Sequence, residues 1–139
     1  MPYSVKIKTH KSKAYTENHF FILSKGNNAG KPLVQPCPNC FVVLVDTAEE
    51  RELLYWLCFG LWQGGCFRPF LCGSVIPFIH LEDLKKVIQG ARIKVEEKPS
   101  EFAEAIELLN KLTAHQENIV LQLSLIAQTK RAVIHKVLK

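Results

Sequence analysis

Residues 101–137 contain neither glycine nor proline, and apolar side chains recur there in alternating steps of four and three: Ala105, Leu109, Leu112, Ile119, Leu123, Ile126, Val133 and Val137. Gln116 and Lys130 fill the two remaining positions of the same line. Such steps keep side chains on one side of an α-helix. A continuous helix of this length would run about 55 Å at 1.5 Å per residue. A body of this chain's size is only about 25–30 Å across, so the helix must overhang its own domain or fold back. An overhanging apolar stripe calls for a partner. The expectation is a coiled-coil homodimer through the C-terminal helix. The alternative is a helical hairpin broken somewhere in residues 113–118, where Asn118 is the one turn-forming residue. Pro99 disfavours helix before it and Ser100 is a good N-cap. Residues 96–100 therefore divide a domain over 1–96 from a helical dimerisation segment over 97–139.

The N-terminal part must hold a core of its own, and with 47% hydrophobic residues the chain can supply one. Residues 4–9 alternate Val5 and Ile7 with Lys6 and Lys8, the pattern of a half-exposed strand. Residues 19–24, HFFILS, read as a more buried strand, and the glycine- and asparagine-rich stretch after them as a loop. FVVLV at 41–45 is a short β-branched run suited to a central strand. Thr47-Ala48-Glu49-Glu50 fits a capping box, in which the Thr47 hydroxyl accepts the Glu50 amide and the Glu50 carboxylate reaches back. A helix is predicted over 48–63, with Leu53, Leu54, Leu57 and Leu61 on one face and Gly64-Gly65 ending it. Residues 67–77 read as a strand, a loop and a return to the sheet. Residues 80–84 read as one helical turn, and 87–88 and 92–95 as short strands. The expected class is α+β: a small mixed β-sheet with one packed helix, then a long C-terminal helix or helical hairpin.

Net charge is +5 and unevenly spread. Residues 1–31 carry six lysines and one glutamate, residues 32–90 are net negative, and the remainder is mildly positive. Concentration of cations in one segment is what a polyanion-binding face requires. A lysine-rich edge strand that resists aggregation would look the same. The loop carries Lys25, Asn27, Asn28 and Lys31, and such side chains suit DNA: asparagine can bond adenine at two places, lysine can meet phosphate or guanine. A glycine hairpin without function is the competing reading.

Other chemistries fit less well. Cys37-Pro38-Asn39-Cys40 is a CxxC without a second pair, so a closed zinc tetrahedron is not expected. A strand follows it where a redox pair would want a helix N-terminus. GNNAGK at 26–31 lacks phosphate-loop spacing and has Pro32 after Lys31. Ser24 and Ser74 lack a nucleophile-elbow setting, and the five histidines are scattered. No catalytic residue, metal site or cofactor is expected. No apolar run reaches the roughly 18 residues a membrane span needs, and the N-terminus lacks the apolar core of a secretory signal. Five cysteines, an odd number, suit a reducing compartment, so the expected location is cytoplasmic.

The most specific string is Gly73-Ser74-Val75-Ile76-Pro77-Phe78-Ile79-His80-Leu81-Glu82-Asp83-Leu84. It resembles the end of target-recognition domains in type I restriction–modification specificity subunits. The buried FVVLV strand, the helix ELLYWLCFGL, the proline-containing EEKPS linker and the long helix are similar to the family's order of elements over about residues 26–137. The chain departs from the family in lacking a proline run before the long helix and in carrying one such domain, not two. It is also similar to a Bacteroides-type family of unknown function. The restriction-family resemblance implies a half-size, non-catalytic recognition module for double-stranded DNA. Joined to the segregated charge, it makes Lys25, Asn27, Asn28, Lys31 and Arg68 the expected DNA contacts, with Lys6, Lys8, Lys11 and Lys13 meeting phosphates. The resemblance also implies that a separate methyltransferase or nuclease chain docks on the helices. A protein-interaction scaffold of the same fold, without DNA binding, is the alternative.

Overall fold

The computed structural model describes residues 5–139, so the expected strand start at Ser4 lies outside it. The elements are β1 (Lys6–Thr9), β2 (Asn18–Leu23), β3 (Pro32–Leu33), β4 (Cys40–Val45), α1 (Ala48–Gln63), α2 (Leu81–Glu97) and α3 (Pro99–Leu138), with a single 3-10 turn at Arg68–Phe70. They make two compact units, one reaching Pro99 and the other running from Ser100 to Lys139.

In the first unit the strands lie in the order β1-β4-β2-β3. The fold class is α+β, and the sheet is antiparallel throughout. Opposed residues share a face, and the register separates two sets. Ile7, Val43 and Phe20 fall on one face with Phe41 and Ile22. This is the face α1 and α2 cover, burying Leu54, Leu57, Cys58, Leu84 and Ile88 against it. Phe20 meets Tyr55 of α1 edge to face at 5.5 Å. The opposite face carries Phe21, Cys40, Val42 and Leu44, with Tyr15, Leu33 and Cys37 packed over them. Both faces of β4 are thus covered, which is why all six of its residues are buried.

α1 starts as its sequence requires. Thr47 is extended and its hydroxyl accepts the Glu50 amide at 3.1 Å. Only half of the expected capping box forms, however. The Glu50 carboxylate turns inward and pairs with Arg92 of α2.

α2 is the main departure from expectation. Residues 80–84, 87–88 and 92–95 were to be a turn and two strands; instead Leu81–Glu97 is one helix. Leu84, Val87, Ile88, Ala91 and Val95 recur at helical spacing, and Leu84 and Ile88 are buried. That amphipathic burial outweighs the β-branched residues and the internal Gly90.

Nor do residues 67–77 form a full strand. The segment is a 3-10 turn followed by an isolated pairing of Cys72 with Phe78. Gly73 holds φ +92° at the bend, and a Cβ there would stand 2.9 Å from the Ile76 carbonyl oxygen.

The second unit is α3, a single continuous helix of 40 residues without the break that a hairpin requires. Pro99 is its first residue, where the missing N–H costs nothing, so the helix begins one position ahead of the expected Ser100 cap. None of its residues is buried.

Candidate nucleic-acid interface

The nine residues expected to meet DNA fall into two groups. The first lies at β1 and the segment that follows it. Lys6 and Lys8 sit opposite Leu44 and Val42, on the sheet face away from α1 and α2. Over that face the chain between β1 and β2 folds back an aromatic cap. The Tyr15 hydroxyl lies 3.0 Å from His10 Nδ1, and His10 and His19 pack edgewise on Phe21 at 5.1 and 5.4 Å. Lys8 and Lys13 bring their ammonium groups to 6.0 and 5.7 Å from the Tyr15 ring centre, distances at which the ring's negative face attracts cations. Lys11 is exposed on the same segment. This group is not purely cationic, because Glu17 and Asp46 share a shallow cleft with Lys6 and Lys8.

The second group is built on the turn between β2 and β3. Gly26 and Gly30 take φ +94° and +101°, conformations that favour glycine. The turn is closed by the Ala29 amide donating to the Gly26 carbonyl and the Gly30 amide to the Leu23 carbonyl. Gly30 lies directly on the Phe67 ring, where a Cβ would come within 2.2 Å. That close approach seats the turn against the end of α1. Asn27, Asn28, Trp62, Gln63 and Arg68 consequently line one polar cavity of about 100 Å³, with no carboxylate among its lining residues. Lys31 stands over the indole of Trp62, 5.1 Å from its centre. Lys25 is exposed one residue before the turn and pairs by backbone bridge with Phe78, while the Gly26 amide donates to the Pro77 carbonyl at 2.7 Å. The Gly-Ser…Asp-Leu string therefore supports the asparagine turn from below and leaves Val75 and Ile76 exposed at its tip.

Sequence reading thus identified four residues that converge here, Asn27, Asn28, Lys31 and Arg68, and missed Trp62 and Gln63. Those two fall off the apolar stripe of α1 just before Gly64, which is the only hint they give. The lysines of β1 and its loop are not part of this cluster. β1 and β3 are opposite edges of the sheet, three strand spacings or about 14 Å apart.

Two larger grooves flank the helices. One, of about 420 Å³, lies beside β1 and includes Ile7, Leu54, Ile88 and Arg92. The other, of about 400 Å³, includes Phe20, Val34, Tyr55 and Trp56. Among the described residues no group of three or more His, Cys, Asp or Glu is placed to share a metal ion. In the CxxC segment the Cys40 thiol donates to the Cys37 carbonyl at 3.1 Å, and burial pushes that thiol's pKa up. Among the described residues no helix is long and apolar enough to cross a membrane.

The model of a family of unknown function, DUF6943, matches residues 7–136. No curated protein and no solved structure matches the chain. The family match connects the chain to no restriction–modification subunit.

Proposed function

We propose that this chain, which belongs to the DUF6943 family of unknown function, is a non-catalytic module that binds double-stranded DNA. One observation carries the reading. Three amides and a guanidinium, from Asn27, Asn28, Gln63 and Arg68, line one notch free of carboxylates, beside an indole with Lys31 over it. Amides of this kind pair with adenine edges, and arginine or lysine with guanine or phosphate. The size of the notch favours an edge or a phosphate over a metabolite, since pockets for small molecules run about 300–1,000 Å³. Lys6, Lys8, Lys11 and Lys13 would add backbone contacts that position the duplex without reading it.

The test is a fluorescence anisotropy titration of a labelled duplex of about two helical turns. If Lys31, Arg68 and one β1 lysine each meet a phosphate, affinity falls roughly 40-fold between about 50 and about 200 mM salt, at about 0.9 logarithmic units of slope per contact. The double substitution Lys31→Ala/Arg68→Ala should weaken binding and flatten that slope. Absence of binding at the lower salt, or a double variant that binds like the parent, would remove the reading. A second reading, a protein-interaction module, is favoured by the exposed apolar residues along α3. Under it the titration is flat.

A further inference from the structure

We infer that two copies of this chain associate through α3, with the two helices running antiparallel. The inference rests on α3 alone and is independent of the DNA reading. The steps of four and three extend back to Phe102, giving a line of eleven positions, of which only Gln116 and Lys130 are polar. Along it Leu112, Leu123 and Val133 are 55%, 62% and 62% exposed. A second copy of the same helix supplies a matching apolar line.

Direction follows from charge. Residues 101–118 hold four glutamates and one lysine, net −3, while residues 119–139 hold three lysines, one arginine and no acid, net +4. The helix dipole explains such a bias only within the first and last turns. Glu117 and Lys130 lie outside them. A parallel, in-register pair would set acidic half on acidic half and basic on basic, and would place Lys130 against its own copy in the seam. Reversal sets each half on its complement. In the antiparallel register closest to full overlap, Lys130 falls opposite Ala105, the smallest apolar residue of the line. Glu101 and Glu104 lie within one turn of Ala105 on the same helix. The lysine stem then lies over the alanine, and its ammonium reaches carboxylates of the other copy.

Sedimentation equilibrium on the full chain tests the association, and charge swaps test its direction. Lys130→Glu should raise the dissociation constant on the order of tenfold, because it turns two symmetry-related attractions into repulsions. The triple variant Glu101→Lys/Glu104→Lys/Lys130→Glu should return it to within about threefold of the parent. A donor after Lys139 of one copy should transfer energy to an acceptor at Ser100 of the other, and not to an acceptor after Lys139. Antiparallel pairing in this register keeps the two C-termini about 60 Å apart at 1.5 Å per residue. Circular dichroism on each variant verifies that α3 stays helical. A chain that remains monomeric would overturn the inference. So would a Lys130→Glu protein that associates as well as the parent, a triple variant that does not recover, or transfer between C-termini.

Discussion

Replacing Arg92 by leucine should be among the most damaging single changes in the first unit, and the structure says by how much. The Glu50 side chain is 5% exposed and that of Arg92 15%, and they pair where α1 meets α2. Removing the arginine strands a carboxylate that water scarcely reaches. Breaking a buried pair from one side costs about 3–5 kcal/mol. Removing the carboxylate is milder. In Glu50→Leu the guanidinium keeps Glu96, 3.2 Å away and on the solvent side, so about 1–3 kcal/mol is expected. The double variant Glu50→Leu/Arg92→Leu should recover most of the loss, since an apolar pair of similar volume needs no charge compensation. Both tryptophans of the chain, Trp56 and Trp62, lie in α1, so their fluorescence follows this unit through a urea titration. With a slope of about 2 kcal/mol/M, Arg92→Leu should move the midpoint down by roughly 2 M. An Arg92→Leu loss below about 1 kcal/mol, or a double variant as damaged as the two single ones combined, would refute the claim that Glu50 depends on its partner.

Two glycines should respond to alanine with opposite signs. Gly30→Ala must force a Cβ into the Phe67 ring at positive φ, and should cost about 2–5 kcal/mol. Gly90→Ala projects into open space from the interior of α2 and should gain about 0.5–1 kcal/mol. Thermal or urea unfolding reads both. The thiols should divide by burial. Cys66 is exposed, whereas Cys58 is buried and its pKa is raised far above the ordinary range by desolvation. In an iodoacetamide time course followed by mass spectrometry, Cys66 should be modified early and Cys58 only after denaturation.

The elements that sequence revealed are those specified locally. β1 is legible from the alternation of Ile7 with Lys6 and Lys8, and α1 from Thr47 and Glu50. α3 is legible from the absence of breakers over 101–137. What was hidden depends on partners distant in the chain. Glu50 reads as a capping residue until Arg92, 42 positions on, offers a buried pair. α2 reads as broken strands because Val87, Ile88, Ile93 and Val95 favour extended backbone locally. Burial of Leu84 and Ile88 against the sheet decides otherwise. In the site, Asn27, Asn28 and Arg68 were legible as residue types. Their meeting was not, because it depends on Gly30 lying flat on Phe67.

The fold also divides a charge that sequence shows as one block. Lys6, Lys8 and Lys13 belong to the sheet face capped by Tyr15, and Lys31 and Arg68 to the notch beyond the other edge. This division makes the proposed DNA contact separable. Lys6→Glu/Lys8→Glu should lower the salt slope by about 0.9, the share of the one β1 phosphate contact, and weaken all sequences alike. Arg68→Ala should instead relax discrimination between sites if the guanidinium reads a base, at about 1–3 kcal/mol. Groups this far apart share no partner, so their combined effect on binding free energy should equal the separate effects to within about 0.5 kcal/mol. Anisotropy titrations of the parent, each variant and the combination, against matched and scrambled duplexes, measure all of these. A combination no weaker than the weaker of its components would mean that only one of the two surfaces touches the polyanion.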